Sequence, residues 1–90
     1  MAGRGVQALA VELGRAGIRV NAILPGVVET EMSMNTSKEF QDSARRKSAI
    51  GRIGELDDME GVAVFLASRE SDFMTGQGIV LDGGNSIFPR

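Results

Sequence analysis

The 90-residue chain contains no histidine, cysteine, tryptophan or tyrosine. It therefore has no imidazole base, no thiol nucleophile, no phenol that could donate a proton, and no imidazole or thiolate ligand for a metal ion. Disulfide bonds are excluded as well, so we expect a cytoplasmic protein. The serine, threonine, lysine and carboxylate side chains that remain show no spacing typical of a catalytic set.

Long apolar runs and a strong charge of one sign are also lacking. No run approaches the roughly 20 residues that a membrane helix requires, and the first residues lack the order of a secretory signal. The net charge is −2, which gives a nucleic acid no basic surface to bind. We expect neither a membrane nor a nucleic acid as partner.

The apolar residues follow the periods of three helices and two strands. Two of the helices begin at candidate capping boxes, Thr36 with Glu39 and Asp57 with Glu60. The last helix is apolar nearly all round, which predicts burial on two sides. The predicted elements are a helix over Arg4–Leu13, a strand over Ile18–Leu24, a polar helix over Lys38–Ser48, an apolar helix over Asp57–Ser68 and a strand over Gly78–Asp82.

The order of these elements predicts an α/β fold. Two strands separated by helices favour a parallel pair with a right-handed crossover. Because parallel sheets normally have several strands with both faces covered, we expect residues 1–90 to be one partial domain of a larger doubly wound sheet. The first helix has no start signal, so we expect the fold to begin before Met1.

Short motifs, each weak alone, succeed one another along nearly the whole chain. They are Gly17-Ile-Arg-Val-Asn-Ala-Ile-Leu-Pro-Gly26, Glu29-Thr-Glu-Met32, Arg52-Ile-Gly-Glu55, Val64-Phe-Leu-Ala-Ser68, Thr75-Gly-Gln77 and Asp82-Gly-Gly84. In this order and spacing the chain resembles the C-terminal third of the short-chain dehydrogenase/reductase family, and it is similar to 3-oxoacyl-(acyl carrier protein) reductases. The resemblance implies a Rossmann-type sheet that binds NAD or NADP at the carboxyl ends of its strands.

The resemblance also implies a cofactor site. Pro25, Gly26, Val28 and Thr30 match the family's Pro-Gly-x-x-x-Thr segment, which flanks the nicotinamide. Glycine would let the backbone approach a flat ring, and main-chain amides there could bond the carboxamide. The alternative is that Pro-Gly only ends a strand and that Thr30 is a loop residue.

The loop from Val28 through Ile50 corresponds by resemblance to the family's substrate-binding flap. Its Met32, Met34 and Phe40 would line an apolar wall for a small carbonyl or alcohol substrate, or would simply anchor the flap.

Three polar groups allow both a functional and a structural interpretation. Asn21 in the first strand is interpreted as a bond to neighbouring backbone rather than as a ligand. Residues 82–84 are interpreted as a turn rather than as a metal or phosphate site. Residues 45–47 are interpreted as a solvated helix face rather than as a docking patch.

Two motifs of the family are absent from the chain: the Gly-x-x-x-Gly-x-Gly cofactor fingerprint and the Tyr-x-x-x-Lys pair. We therefore expect a C-terminal fragment of an NAD(P)-dependent oxidoreductase that is inactive alone. The alternative is a non-catalytic module that forms a homo-oligomer through the helix Asp57–Ser68 and the strand Gly78–Asp82, across a twofold axis. A minimal nucleotide-binding domain is the third hypothesis.

Overall fold

A computed structural model of the chain describes residues 3–28 and 35–87. Within these ranges it confirms the α/β composition, with three α-helices and two strands that form a two-stranded sheet. A 3₁₀ helix over Arg69–Ser71 was not predicted. The elements are α1 (Arg4–Gly14), β1 (Ala22–Pro25), α2 (Lys38–Lys47), α3 (Leu56–Ala67) and β2 (Gly78–Leu81).

The chain divides into two compact units. Unit 1 comprises Met1–Leu24 and Glu60–Val80, and unit 2 comprises Pro25–Met59 and Leu81–Arg90. Each unit is therefore assembled from two stretches of sequence that are far apart along the chain. None of the helices in the described residues has both the length and the apolar character that crossing a bilayer demands.

The two strands are parallel, as predicted. In unit 1 the Ala22 N–H donates to the Gln77 carbonyl at 2.9 Å, and in unit 2 the Gly26 N–H donates to the Leu81 carbonyl at 3.0 Å. Donor and acceptor advance together along the chain, which is the pattern of a parallel ladder.

The first strand is shorter than predicted at its beginning and extends one residue further at its end. Before Ala22, the Val20 N–H donates to the Thr75 hydroxyl at 3.0 Å, and the Asn21 side chain donates to the Met74 carbonyl at 3.1 Å. The Asn21 carboxamide oxygen also accepts from the Gln77 N–H at 3.1 Å. These side-chain bonds accompany one backbone bond, from the Gly76 N–H to the Val20 carbonyl at 2.7 Å, and the structural interpretation of Asn21 is confirmed.

The capping residue predicted for α2 was wrong. The residue before the helix is Ser37, whose hydroxyl accepts from the Phe40 N–H at 3.1 Å. Thr36 lies one position earlier and cannot occupy the same place relative to the first turn. Either of the two adjacent hydroxyl residues could have capped the helix, and the backbone conformation places Ser37 at the capping position.

The predicted start of α3 was also wrong by one residue. The helix begins at Leu56, and the carboxylate of its third residue, Asp58, accepts from the Glu55 N–H at 2.7 Å. This contact is one half of a capping box. The helix is therefore capped through Glu55 and Asp58, instead of through Asp57 and Glu60.

In unit 1, a cluster around Ser71 closes the end of α3. The Arg19 guanidinium donates to the Ser71 carbonyl at 2.8 Å and to the Ser71 hydroxyl at 2.7 Å. That hydroxyl in turn donates to the Phe65 carbonyl at 2.8 Å, and Ser71 is only 2% exposed. The Ser71 hydroxyl thus bonds a carbonyl group that the end of α3 leaves without an intrahelical partner, while Arg19 binds the 3₁₀ turn that follows the helix.

The predicted burial of α3 on two sides was wrong for this chain. None of its residues is buried, and Val64 is 68% exposed. A helix that is apolar all round needs apolar partners on opposite sides. The described residues supply few, since Ala10 and Ile53 are the apolar residues among them that are buried.

In unit 2, the segment that follows α2 is joined to the turn that follows β2. The Gly83 carbonyl accepts from the Ile50 N–H at 3.0 Å and from the Ser48 hydroxyl at 3.3 Å. Gly83 has a positive φ of 63°, and a Cβ at this position would lie 2.6 Å from the Ser48 Oγ atom. Glycine is therefore required by both backbone conformation and space.

We expect Gly83→Ala to lower the free energy of unfolding by about 2–3 kcal/mol, from left-handed strain and steric overlap together. In a Ser48→Ala background the nearest remaining atom of residue 48 lies 3.7 Å away, so the same change should cost only about 1 kcal/mol. A double-mutant cycle by urea denaturation measures the difference. Gly17→Ala is the control, because Gly17 has a φ of 81° but nothing within 4 Å. An equal cost of Gly83→Ala in both backgrounds would contradict the overlap.

Candidate functional site

The candidate site lies in unit 2, where the two strands end. Pro25 is the last residue of β1 and is exposed, while Gly26 and Val28 are half-buried. In open α/β sheets, ligands bind beyond the carboxyl ends of the strands. The structure thus brings three of the four predicted cofactor residues to such an edge. Thr30, Met32 and Met34 lie outside the described residues.

At Gly26 the ends of the two strands lie close together. A Cβ on Gly26 would lie 2.9 Å from the Asp82 Cβ atom and 3.0 Å from its Cα atom. The Gly26 N–H is itself bonded to the Leu81 carbonyl. Strand packing accounts for glycine at this position, because a side chain there would overlap Asp82. The approach of a nicotinamide ring to Gly26 stays a prediction.

The chain after Gly26 pairs with the turn before α3. Val28 and Gly54 form an isolated parallel bridge, and the Gly54 N–H donates to the Val27 carbonyl at 2.9 Å. This pairing gives the loop after β1 a defined backbone position.

An ion pair between Arg52 and Asp58, which was not predicted from the sequence, stabilises this turn. The Arg52 guanidinium donates to both carboxylate oxygens of Asp58, at 2.8 and 2.9 Å, and also to the Ile53 carbonyl at 3.2 Å. Asp58 in addition accepts from the Glu55 N–H. A two-point contact of this kind fixes orientation as well as distance, so Arg52 and Asp58 hold the turn that pairs with Val27.

The hydrogen bond from Arg52 holds the pKa of Asp58 well below its ordinary value of 3.8, and the Glu55 N–H adds to the effect. The same bond raises the pKa of Arg52. Both side chains are partly exposed, at 53% for Arg52 and 36% for Asp58. The pair therefore stays ionised into the acid range, while water screens its attraction.

Asp82 organises the turn that follows β2. Its carboxylate accepts from the Gly84 N–H at 3.0 Å and from the Ser86 N–H at 2.9 Å. The pKa of Asp82 is lowered, first by its bond with the Ser86 side chain. The turn interpretation of residues 82–84 is thus confirmed, and the part of the chain that the structure describes has no group of three or more potential metal ligands among its acidic residues.

The basic run at the end of α2 has the surface character expected for a solvated face. Arg45 pairs with Asp42 at 3.2 Å, with both side chains 41% exposed. Arg46 and Lys47 are exposed. Phe40, a predicted flap residue, lies in the first turn of α2 and is 48% exposed.

Comparison with known proteins identifies relatives along nearly the whole chain. The model of the family described as enoyl-(acyl carrier protein) reductase matches residues 4–86. A (2S)-[(R)-hydroxy(phenyl)methyl]succinyl-CoA dehydrogenase subunit from Thauera aromatica is 42% identical over 82 residues, which are 91% of this chain and 33% of that protein. A 3-oxoacyl-(acyl carrier protein) reductase from Thermotoga maritima is 41% identical over 75 residues, which are 83% of this chain and 30% of that protein. The chain spans about a third of the length of these curated relatives.

Solved structures confirm the Rossmann-type α/β fold. A gluconate dehydrogenase structure from Agrobacterium tumefaciens superposes with a TM-score of 0.89 at 34% identity, and covers 94% of this chain and 35% of that one. A 4-hydroxyisoleucine dehydrogenase, solved in complex with NADH and succinate, has a TM-score of 0.81 at 29% identity and covers 92% of this chain and 34% of its own.

We expect Gly26→Ala to destabilise the protein by about 2 kcal/mol, because the added methyl group would overlap Asp82 and push the strand ends apart. Gly61→Ala is the matched control. Gly61 lies inside α3 with nothing within 4 Å of its Cβ position, so alanine there should stabilise by about 0.5–1 kcal/mol. Urea denaturation followed by circular dichroism measures both. A neutral Gly26→Ala variant would refute the packing role.

The lowered pKa of Asp58 predicts a pH dependence of stability. A carboxyl group whose folded-state pKa is depressed stabilises the fold above its unfolded-state pKa, and that contribution is lost as the pH falls through the folded value. When the pH is lowered from about 6 to about 2, the midpoint of unfolding should therefore fall further for the wild type than for Asp58→Asn. Asp57→Asn, one position earlier in α3, is the control and should behave like the wild type. Parallel pH profiles for the wild type and Asp58→Asn would contradict the assignment.

Proposed function

Because the chain belongs to the short-chain dehydrogenase/reductase family, we propose that it supplies the nicotinamide-side loop and the substrate flap of an NAD(P)-dependent oxidoreductase that acts on a small carbonyl or alcohol. The observation that carries the proposal is the place of the Pro25-Gly26 segment. It follows a parallel strand at its carboxyl end, inside the 4–86 stretch that the family model matches. That edge is where dinucleotides bind in this kind of sheet.

The fit to a nicotinamide cofactor differs among the proposed residues. The exposed Pro25 ring offers an apolar face at the strand end. Val28 would lie beside the nicotinamide, and the Thr30 hydroxyl would donate to the carboxamide or to the pyrophosphate. Gly26 supports these residues by holding the strand ends together, because its N–H bonds the Leu81 carbonyl and Asp82 packs where a Cβ would lie. When bound, the nicotinamide ring supplies or accepts the hydride. The NADH complex of 4-hydroxyisoleucine dehydrogenase supports a dinucleotide of this class.

The proposal includes inactivity of the chain by itself. Hydride transfer to a carbonyl needs a proton donor, and the chain has no tyrosine, histidine or cysteine. It also has no Gly-x-x-x-Gly-x-Gly segment to cradle a pyrophosphate. The absence of cysteine further supports a cytoplasmic location as part of this proposal.

A chimaera tests the proposed function with a positive readout. The matching C-terminal third of the Thermotoga maritima reductase is replaced by this chain, and the oxidation of NADH and NADPH is followed by absorbance. The chimaera should turn over, while the isolated chain should show no rate above the protein-free control. Thr30→Val in the chimaera should raise the cofactor KM about tenfold, because a hydrogen bond to the cofactor is lost.

Ser33→Ala in the same loop is the matched control and should leave the cofactor KM unchanged. Turnover by the isolated chain would overturn the inactivity. A chimaera that folds and binds substrate but is indifferent to Thr30→Val would overturn the cofactor-side role.

Exposed apolar side chains in unit 1 favour a second candidate function, a non-catalytic module that forms a homo-oligomer through the helix Asp57–Ser68 and the strand Gly78–Asp82. Val64 on α3 is 68% exposed and Val80 on β2 is 46% exposed. If the two side chains belong to one apolar surface, that surface suits association with another chain, and a twofold axis would present it from both copies.

Light scattering after size exclusion tests this second function. We expect a dimer at micromolar concentration that Val64→Glu converts to a monomer, since a carboxylate would be buried without a partner. Val11→Glu is the control, because Val11 on α1 is 83% exposed but lies outside the proposed interface. A monomeric wild type would exclude the module.

A further inference from the structure

The turn from Arg52 to Asp58 in unit 2 is closed by its own side chains. The Arg52 guanidinium bonds both carboxylate oxygens of Asp58, at 2.8 and 2.9 Å, and it donates to the Ile53 carbonyl at 3.2 Å. Ile53 is only 7% exposed, so its side chain anchors the turn. The path of the backbone between Arg52 and Asp58 is therefore restricted at both ends and by one buried side chain.

Gly54 lies inside this turn and contacts the loop after β1. A Cβ on Gly54 would lie 3.4 Å from the Val27 carbonyl oxygen and 3.7 Å from the Val28 Cγ2 atom. The same Cβ would lie 3.8 Å from the Asp58 Oδ2 atom, which is the oxygen that accepts from Arg52 at 2.8 Å. The ion pair and the loop thus lie against the same glycine.

General stabilisation is a poor account of this ion pair. Both side chains are partly exposed, and water screens such pairs so that they add little to global stability. A two-point contact does fix orientation, and the Gly54 N–H donates to the Val27 carbonyl at 2.9 Å. The effect of the pair is therefore expected where Gly54 meets the loop.

We propose that Arg52 is a positioning residue for the cofactor: through Asp58 and Gly54 it fixes the backbone of the nicotinamide-side loop at Val27 and Val28, and thereby raises the affinity of that loop for the nicotinamide. This inference rests on the proposed function and deepens it. It assigns part of the cofactor affinity to a side chain that acts through the turn rather than by contact with the dinucleotide.

Amide hydrogen exchange in the 90-residue chain, without cofactor, tests the first step. Arg52→Gln removes the guanidinium and leaves the bond between Asp58 and the Glu55 N–H in place. We expect the Gly54 N–H to exchange about fivefold faster, while the Gly26 N–H, which is bonded between the two strands, changes less than about twofold. Equal acceleration at both amides would show a loss of stability alone and would overturn the proposal.

Fluorescence titration of NADH into the chimaera tests the second step. Arg52→Gln should weaken binding about three- to fivefold, because the loop is no longer held in one position. Arg52→Lys keeps the charge but cannot make the two-point contact, so it should weaken binding as much. Arg15→Gln is the matched control, since it removes an exposed guanidinium of unit 1 and should leave the dissociation constant unchanged.

A double-mutant cycle shows whether Arg52 acts through Asp58. In an Asp58→Asn background, Arg52→Gln should change the NADH affinity by less than about twofold, because the partner is already altered. A full effect in both backgrounds, full recovery with Arg52→Lys, or unchanged exchange at Gly54 would each overturn the positioning role and leave the proposed function intact. A chimaera whose NADH affinity responds to neither Thr30→Val nor Arg52→Gln would overturn the proposed function, and this proposal with it.

Discussion

The organisation of unit 2 depends on one close approach, that of Gly26 to Asp82. Because Gly26 has no Cβ, its backbone comes near enough to donate to Leu81 while Asp82 packs against it. Asp82 then uses its carboxylate to form the next turn. The carbonyl of Gly83, inside that turn, receives Ser48 and Ile50 from the segment after α2. The close strand ends, the turn after β2 and the attachment of the segment after α2 thus all depend on the missing side chain of Gly26.

Much of this architecture could be predicted from the sequence. Hydrophobic periodicity gave three helices and two strands, and the spacing of the motifs gave the family, the fold and the parallel pairing. The errors in the bounds of the elements lie at their ends, whereas the predicted burial of α3 failed because the described residues supply few apolar partners for it. Asn21 joins the two segments through side-chain bonds before β1 begins, and Ser37 caps α2 although its neighbour Thr36 has the same kind of side chain. The partners of Asn21 lie more than 50 residues away along the chain, and the choice between Thr36 and Ser37 depends on backbone conformation that residue types alone do not determine.

The position of the candidate site in the fold could be predicted from the sequence, whereas the contacts that shape the site could not. Pro25, Gly26 and Val28 do meet at a strand end, yet the reason for glycine there is a collision with a residue distant in sequence. From the sequence, Arg52 and Asp58 are expected to be ordinary charged surface residues, because their spacing does not predict a two-point contact. Only the fold shows that this pair fixes the turn opposite Val27.

The discontinuity of unit 1 has a consequence for the order of events during synthesis. Its first stretch, Met1–Leu24, leaves the ribosome before Glu60–Val80 has been translated. Arg19 therefore emerges without the carbonyl groups that it will bind at Ser68 and Ser71, and β1 emerges without its neighbour. Unit 1 can therefore be completed only after Glu60–Val80 has been translated, and until then the apolar residues of its first stretch lack their partners.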